Sequence, residues 1–431
     1  MTSDWPLEEL KDIAAEVTVG YVGSMASEYV DCGIPFLRSM NIEPFKVNRT
    51  DLKYINPEFH SRIKKSALKP NDVAIVRTGK PGTCAVIPDW LHDANCSDLV
   101  IVRCGERIRP RFLCYWVNSV ASHHIDSHTV GAVQQHFNVG AAKKMKVAVP
   151  SLSVQDSVIS VLGSIDDRIT LLRETNTTLE AIAQALFKSW FVDFDPVRAK
   201  QEGRAPEGLD EAAAALFPDG FEASESGLVP RGWRLRKVGE VCSIGRGASP
   251  RPIQSFIGGD VPWIKIADAT ASDGMFIFET KERIVKEGAG KSVAVRHGDL
   301  IMSNSASCGI PVFVELEGCI HDGWLYFKDF KGTAKNLLFF WFRHISEHLI
   351  NIADGSVQKN LNTALVSSQL IICPAPEILV AFDGCVQPLL DRIREGGKHI
   401  EVLTNLRDTL LPRLISGQLR LPDAEAEALA A

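Results

Sequence analysis

An internal duplication constrains the fold most strongly, because the second half of this 431-residue chain repeats the first. The matches keep their order, and their offset drifts only from 228 residues (Trp5 to Trp233) to 224 (Asp167 to Asp391). The other matched positions are Ile34-Pro-Phe with Val261-Pro-Trp, Asp72-Val with Asp299-Leu, Gly82 with Gly309, Trp116 with Trp341, Gly131-x-x-Gln134 with Gly355-x-x-Gln358, Asn138 with Asn362, and Pro150 with Pro374. Such a series predicts two copies of one structural unit.

Each copy begins with a region of short apolar runs separated by turn residues, which is typical of strands in a mixed domain. The predicted strands are Val73–Val76, Leu99–Val102 and Val147–Val149 in the first copy, and Leu300–Met302, Leu325–Phe327 and Leu370–Cys373 in the second. A helix is predicted over Pro110–Val120 and over its equivalent, Lys335–His348. Strands and helices of this kind predict an α+β class.

Each copy then ends in a predicted long helix. Two series of residues spaced by seven run through the first helix: Val158, Ile165, Leu172, Leu179 and Leu186, and Leu162, Ile169, Asn176, Ala183 and Trp190. This a/d pattern predicts a coiled coil, in which the polar Asn176 fixes the register. From about Gln155 to Phe191 the helix would be about 55 Å long at 1.5 Å per residue.

The second long helix carries a similar pattern, but Gly396-Gly397 interrupts its register. We therefore expect a kink or local fraying at this point. The simplest packing places the two helices antiparallel against each other, which gives the whole chain a pseudo-two-fold arrangement. The alternative is two amphipathic helices, each packed on its own domain.

The duplication and the helix patterns together predict six segments. They are a first mixed domain (1–150), a first long helix (151–196), a linker (197–232), a second mixed domain (233–376), a second long helix (377–419) and a tail (420–431).

The charge of the chain is unevenly distributed. The net charge is −6 overall, but residues 1–150 and 233–376 each carry +2, whereas 151–232 carry −7 and 377–431 carry −3. Phosphate binding requires local positive charge and not a basic whole chain, so the pattern permits DNA binding by the two mixed domains.

The composition also predicts where the protein works. No run reaches 18 apolar residues, and the N-terminus has neither a basic start nor an apolar run, so we expect a soluble protein without a signal peptide. The ten Cys are scattered without a CxxC pair, which argues against a structural metal site and for reduced thiols in the cytoplasm.

Catalytic motifs are missing from the sequence. Lys286–Ser292 resembles the end of a phosphate-binding loop, but Val285 stands where that loop requires glycine. No GxGxxG opens a predicted helix, and neither GxSxG nor the Asn/Asp-Pro-Pro-aromatic motif of amino-methyltransferases occurs. We therefore expect no active site and no cofactor on this chain.

The order of these features resembles the specificity (S) subunit of Type I restriction-modification enzymes. Ala185-Leu-Phe-Lys-Ser-Trp-Phe-Val-Asp-Phe-Asp-Pro196 looks like the central conserved region of that family, and Leu410-Leu-Pro-Arg-Leu-Ile-Ser-Gly-Gln-Leu419 looks like its C-terminal one. Pro230-Arg-Gly-Trp233 resembles the entry to its second recognition domain. The resemblance covers all but about the last dozen residues, although Gly396-Gly397 departs from a uniformly rigid second helix.

The resemblance implies a non-catalytic DNA-binding subunit. Each mixed domain would be a target-recognition domain that reads one half of a bipartite site in double-stranded DNA, and the helices would set the spacer. Two methylation subunits, which use S-adenosylmethionine to methylate adenine at N6, would dock on the chain. ATP-dependent restriction subunits would complete the endonuclease.

Base readout requires side chains that donate or accept paired hydrogen bonds, with Arg or Lys for guanine and Asn or Gln for adenine. The candidates in polar loops beside predicted strands are Arg38, Arg77, Lys80, Gln134 and Gln135 in the first domain, and Lys265, Asn304, Ser305, Gln358 and Lys359 in the second. For any one of them the alternative is a solvated or turn-stabilising role.

A dense apolar group at the ends of the two helices is the candidate docking surface for the methylation subunits. Its members are Leu186, Phe187, Trp190, Phe191, Phe194, Leu411, Leu414 and Ile415. Burial within the chain's own coiled coil is the alternative for this group.

Two functions of other classes remain open from the sequence. A self-contained methyltransferase or nuclease would show activity as a single purified chain. A DNA-bridging protein without sequence preference would bind unrelated duplexes equally at matched salt.

Overall fold

The computed structural model describes residues 5–120, 137–225, 227–272, 274–305, 307–353 and 360–421. The chain divides into two compact units: unit 1 comprises Met1–Arg168 and Leu403–Ala431, and unit 2 comprises Ile169–Val402. Each unit thus combines one mixed domain with a part of each of two long helices. Across the described ranges, no helix has the length and apolar character needed to cross a membrane.

Unit 1 contains thirteen described strands, and the described part of its domain contains four short α-helices and two 3₁₀ helices. The strands are β1 (Leu7–Glu9), β2 (Ala14–Val19), β3 (Tyr29–Val30), β4 (Ile34–Leu37), β5 (Ile42–Glu43), β6 (Lys46–Val47), β7 (Lys53–Ile55), β8 (Ala67–Leu68), β9 (Val73–Val76), β10 (Cys84–Val86), β11 (Ala94–Cys96), β12 (Leu99–Cys104) and β13 (Lys146–Ala148). The helices are α1 (Leu10–Ile13), α2 (Pro57–Arg62), α3 (Pro110–Ser119) and α4 (Val139–Lys143), with 3₁₀ turns at Ser39–Asn41 and Lys64–Ser66.

Unit 2 begins within the first long helix, α5 (Leu152–Phe191), and ends within the second, α14 (Pro376–Ile415). Its strands are β14 (Phe221–Ser224), β15 (Gly227–Pro230), β16 (Arg234–Lys237), β17 (Ser243–Arg246), β18 (Ile257–Ile264), β19 (Phe276–Ile277), β20 (Arg283–Ile284), β21 (Val293–Val295), β22 (Leu300–Ser303), β23 (Pro311–Val314), β24 (Gly318–Ile320), β25 (Trp324–Lys328) and β26 (Leu370–Cys373). The short helices are α6 (Asp195–Gln201), α7 (Glu211–Leu216), α8 (Val238–Val241), α9 (Ile266–Ala271), α10 (Lys286–Ala289), α11 (Lys335–His344), α12 (Ser346–Ile352) and α13 (Thr363–Ser367), with a 3₁₀ turn at Ile253–Ser255.

The sheets of the two units share one topology, which confirms the duplication. A four-strand order β10-β9-β12-β2 in unit 1 corresponds to β23-β22-β25-β17 in unit 2, where β19 adds a fifth strand. The order β7-β4-β11-β8 corresponds to β20-β18-β24-β21, and the pair β1-β13 corresponds to β16-β26. The parallel pairing of β4 with β11 is also repeated, as β18 with β24.

All six predicted strands are present, with bounds within two residues of the prediction. The prediction of one helix over Lys335–His348 was wrong, because α11 ends at His344 and α12 begins at Ser346. The first long helix ends at Phe191, as the heptad pattern predicted; beyond it Phe194 adopts a left-handed backbone conformation (φ 56°), and α6 starts at Asp195.

The repeated asparagines have a local structural role. The side-chain oxygen of Asn138 accepts a hydrogen bond from the Ala141 backbone N–H (2.9 Å) at the start of α4. Asn362 does the same for Leu365 (2.8 Å) at the start of α13. Both are N-caps, which satisfy a backbone donor that the helix itself leaves unpaired.

The two long helices, of 40 residues each, form the predicted antiparallel coiled coil, as contacts within each unit show. In unit 1, the guanidinium of Arg407 lies 3.1 Å from the Asp166 carboxylate. In unit 2, Phe191 meets Phe382 edge-on, with ring centroids 4.9 Å apart. Residues later in α5 therefore face residues earlier in α14.

The predicted seam positions of α5 are buried or half-buried throughout. The fully buried members are Val158, Leu162, Ile165, Ile169, Leu172, Asn176, Ala183 and Trp190, and the half-buried ones are Leu179 and Leu186. The heptad pattern therefore identified the packed face correctly.

The expectation of local fraying at Gly396-Gly397 was wrong, because α14 is helical without interruption from Pro376 to Ile415. A Cβ at position 396 would lie 2.4 Å from the Asn176 side-chain oxygen, and one at 397 would lie 2.4 Å from the Phe278 ring. Asn176 is buried at the seam and donates a hydrogen bond to the Ile393 carbonyl (3.2 Å). These glycines thus allow close approach and do not interrupt the helix.

Replacement of Gly396 tests this packing. Gly396→Ala should lower the free energy of unfolding by about 1–3 kcal/mol, since the new methyl group displaces the Asn176 amide from its hydrogen bond. The matched control is Gly384→Ala in the same helix, where a Cβ would meet nothing within 4 Å. That change should be neutral or stabilise by up to about 1 kcal/mol, because alanine favours helix. Chemical denaturation measures both, and an equal response of the two variants would contradict the packing argument.

Candidate nucleic-acid interface

In unit 1, three polar loops meet at one end of the four-stranded sheet, which we call the loop end. Residues 20–28 follow β2, residues 77–83 join β9 to β10, and residues 97–98 precede β12. The sheet brings them together because Val19 pairs with Val100, and Val76 pairs with Leu99. The opposite end of the sheet carries α1.

Unit 2 has the same loop end. Residues 247–256 follow β17, residues 304–310 join β22 to β23, and residues 321–323 precede β25. Here Arg246 pairs with Leu325, and Ser303 pairs with Trp324. The two units therefore present loops at equivalent positions on equivalent strands.

In each unit, a residue further along the chain is also hydrogen-bonded to the loop end. In unit 1, the Phe137 N–H donates to the Arg77 carbonyl (2.9 Å), and in unit 2 the Leu361 N–H donates to the Asn304 carbonyl (2.7 Å). Arg77 and Asn304 are equivalent positions with unlike side chains. The two units thus share one backbone arrangement at this end but present unlike side chains.

Three predicted DNA-binding residues of unit 1 lie at or beside this loop end. Arg38 follows β4 and contacts Asp51 through its carboxylate (2.8 Å) and its carbonyl (2.5 Å). Arg77 is almost buried, donates to the Phe137 carbonyl (3.3 Å) and lies 3.3 Å from the Asp98 carboxylate. Lys80 is exposed on the 77–83 turn. Arg38 and Arg77 thus shape loops, and Lys80 faces solvent.

The predicted residues of unit 2 are also brought together. Lys265 follows β18, forms an ion pair with Glu282 and lies over the Trp263 ring, 5.3 Å from its centroid. Asn304 is buried and donates to the Asp322 carbonyl (3.0 Å), so its amide supports the loop. Ser305, half-exposed, forms a bridge to Asn360.

Four predicted positions, Gln134, Gln135, Gln358 and Lys359, lie outside the described residues. Phe137 and Leu361, which follow them in the chain, are described, and their backbone N–H groups donate to the carbonyls of Arg77 and Asn304.

A cluster in unit 2 that is centred on Asp322 was not predicted from the sequence. Its carboxylate accepts from the Ser249 hydroxyl (2.7 Å) and from Arg251 (3.3 Å), and its carbonyl accepts from Arg246 (2.7 Å). The signal was the polar run Arg246-Gly-Ala-Ser-Pro-Arg251 directly after an apolar strand. Spacing alone could not show that its two arginines converge on one acidic residue.

The ionisation of this cluster follows from its environment. Burial lowers the pKa of His321, so its ring is neutral at neutral pH. Burial also tends to raise the pKa of Asp322, but the Ser249 hydrogen bond and the positive charge of Arg246 help to outweigh it, and the pKa lies below its usual value. Asp322 is therefore ionised where it contacts Arg251.

Of the predicted docking residues between 186 and 194, Phe187, Trp190 and Phe191 are buried inside unit 2, and Leu186 and Phe194 are half-buried. Phe187 is completely buried and stacks on Phe340, with ring centroids 6.1 Å apart. Trp190 and Phe191 contact Phe382, and Phe194 packs edge-on against Phe221 and Trp233. The same holds in unit 1, where Leu411, Leu414 and Ile415 are buried in the core with Phe112. Burial within the chain is the alternative that the structure favours for this group.

No group of three or more His, Cys, Asp or Glu side chains in the described ranges is arranged to hold a metal ion. The loop side chains at this end of each sheet offer hydrogen bonds and charge.

Comparison with known proteins points to one family. Residues 230–388 match the family model described as the Type I restriction modification DNA specificity domain. The HindI specificity subunit of Haemophilus influenzae is 28% identical over 326 residues, which span 65% of this chain and 70% of that protein. The MjaIX specificity subunit of Methanocaldococcus jannaschii is 22% identical over 443 residues, which span 97% and 94%.

A solved structure has the same fold. The Type I restriction-modification S subunit from M. genitalium superposes with a TM-score of 0.57 at 11% identity, covering 95% of this chain and 96% of that one. The repeated sheets, the paired long helices and the sequence matches agree. The chain resembles the specificity (S) subunits of Type I restriction-modification enzymes in sequence and in fold.

Proposed function

We propose that the protein is the non-catalytic DNA-recognition subunit of its complex, and that each mixed domain reads one half of a bipartite target in double-stranded DNA. The observation that carries this proposal is the repeated loop end. Equivalent strands of the two units support loops of equivalent position, but Arg77 in one stands where Asn304 stands in the other. Two similar scaffolds with unlike loops fit two different half-sites.

The exposed residues of these loops are the proposed contacts with DNA. Lys80 in unit 1, and Ser305 and Lys265 in unit 2, retain exposed surface at or beside the loop ends. Arg38, Arg77 and Asn304 hold the loops in shape through the contacts given above. Gln134, Gln135, Gln358 and Lys359 remain proposed contacts because their side chains have the donors and acceptors that base readout requires.

We further propose that the helices α5 and α14 set the distance between the half-sites. Each has 40 residues, which corresponds to about 60 Å at 1.5 Å per residue. The packed seam, with the buried Asn176 and the close approach at Gly396, supports a spacer of fixed length. A spacer of this length fits a target with an unread gap between its two parts.

The chemistry of the complex is assigned to partners. We propose that two methylation subunits bind this chain and methylate adenine at N6 with S-adenosylmethionine, that ATP-dependent restriction subunits complete the nuclease, and that the complex works in the cytoplasm. The similarity to Type I specificity subunits supports this division, and the sequence carries no recognised catalytic motif.

Arg77→Ala tests half-site reading. The loop 77–83 loses the anchor of Arg77 to Phe137 and Asp98, so recognition in one half-site should relax by roughly 10–100-fold, while the other stays unchanged. The measurement is methylation by the assembled complex of duplexes with single substitutions in either half. Lys11→Ala in α1, at the opposite end of the sheet, is the control and should have no effect. Equal relaxation in both halves would count against the assignment.

Docking of the methylation subunits can be separated from folding by a pair of variants. Phe187→Asp should destabilise unit 2 by at least about 3 kcal/mol, because it places a charge in a fully packed aromatic core. Leu171→Asp, at a position on α5 that is 52% exposed, should keep the thermal stability but weaken co-purification with the methylation subunit if this face is the docking surface. A stable Leu171→Asp chain that still associates fully with the methylation subunit would show that this face of α5 is not the docking surface.

A further inference from the structure

Asp322 lies between the loop that carries Arg246 and Arg251 and the strand β25 of unit 2. Five hydrogen bonds meet at this residue. Its carboxylate accepts from Ser249 and Arg251, its carbonyl accepts from Arg246 and Asn304, and its N–H donates to Ser249 (3.3 Å). One residue thus holds two arginines of the loop end.

The backbone of the arginine loop is also fixed. The Gly247 N–H donates to the Trp324 carbonyl (2.8 Å), and the Ala248 N–H donates to the Ile320 carbonyl (3.2 Å). The Ser292 hydroxyl donates to the Ala248 carbonyl (2.6 Å). A Cβ at position 247 would lie 2.1 Å from the His321 carbonyl oxygen, so only glycine fits this approach. The arginines are therefore presented from an ordered loop.

Most of the hydrogen-bonding capacity of these arginines is directed outward. The Arg251 side chain is 81% exposed, and a single nitrogen contacts Asp322. Arg246 is exposed and uses its Nε for the Asp322 carbonyl. Among the described residues, neither guanidinium has another hydrogen-bond acceptor, so each retains paired N–H donors that point to solvent.

The loop of unit 1 that is equivalent to the arginine loop has no such arginine pair. The equivalent loop, residues 20–28, contains no arginine or lysine, and Val22 is 70% exposed there. The acidic residue of the corresponding turn, Asp98, contacts Arg77 from a different loop instead. The arginine pair thus distinguishes the second loop end from the first.

We infer that Arg246 and Arg251 are DNA-contacting residues of the second half-site, and that Asp322 is the positioning residue that orients them. The inference rests on the proposed function and names the residues that carry it in unit 2. Their ligand is a hydrogen-bond acceptor of duplex DNA, either the O6/N7 edge of guanine or a backbone phosphate. A guanidinium that is held on one side by a carboxylate offers its other edge to either acceptor.

The first experiment measures DNA binding and adenine methylation by the assembled complex with Arg251→Ala and with Arg246→Ala. We expect a roughly 10–100-fold loss that depends on the second half-site. If the acceptor is guanine, discrimination at one base pair of that half-site is lost. If it is phosphate, affinity falls for every sequence, and the dependence of log K on log salt becomes shallower by about one.

The control is Arg236→Ala, which removes an Arg–carboxylate pair of the same kind, with Glu240, at the opposite end of β17. It should leave binding and methylation unchanged. Arg251→Ala and Arg246→Ala variants that both bind and methylate like the parent chain would overturn the inference.

The positioning role of Asp322 is tested by a double-mutant cycle. Asp322→Ala should reduce binding about as much as Arg251→Ala, and it should add little when Arg251 is already alanine. Asp322→Asn, which keeps the backbone carbonyl and one acceptor oxygen, should restore part of the binding. Fully additive losses, with equal thermal stability of the variants, would show that Asp322 acts independently and would overturn its assigned role.

The outcomes separate this inference from the function on which it rests. If the parent complex methylates no bipartite sequence, the proposed function fails whatever the variants do. If the parent complex shows such a sequence and the arginine variants match it at both half-sites, only the present inference fails.

Discussion

The C-terminal end of the chain completes the hydrophobic core of its N-terminal domain, and the rest of the structure depends on this packing. Leu411, Leu414 and Ile415 of α14 are buried together with Val158 of α5 and Phe112 of α3 in unit 1. Burial of each such side chain is worth roughly 1.5–3 kcal/mol. Unit 1 therefore needs both helices and cannot be completed by residues 1–150 alone.

Unit 2 is built in the same way, with the roles of α5 and α14 exchanged. Phe187 and Phe191 come from α5, and they pack with Phe340 of the domain and Phe382 of α14. Each mixed domain is thus attached to the helix pair through its own core, which is a stiffer attachment than a flexible linker. Stiff attachment is what a protein needs if helix length is to determine the distance between two contacts on DNA.

The sequence predicted the parts of the fold that follow from local pattern. The duplication, the strand Val73–Val76 and the heptad seam through Leu162 and Asn176 all depend on spacing that can be read directly. The effect of Gly396 on the helix was predicted wrongly, because Gly396 packs against the side chain of Asn176, 220 positions away. Helix propensity takes no account of such a contact.

In the candidate site, too, the positions of residues could be predicted from the sequence but their contacts could not. The positions of Arg77 and Asn304 were predicted from the repeat, and the structure places both at a loop end. Their burial was not predictable, because it depends on contacts with Phe137 and Asp322 that only the folded sheet creates. Arg246, Arg251 and Asp322 were missed for that reason: 71 residues separate the second arginine from its carboxylate, and the repeat offers no equivalent in unit 1.

The most direct measurement of the central claim is a genome-wide map of N6-methyladenine in the source organism, with this gene present and with it deleted. The account predicts that one bipartite motif, with two different specified halves and an unspecified gap, loses its methylation on deletion. An unchanged map, or the loss of a single continuous motif, would contradict it.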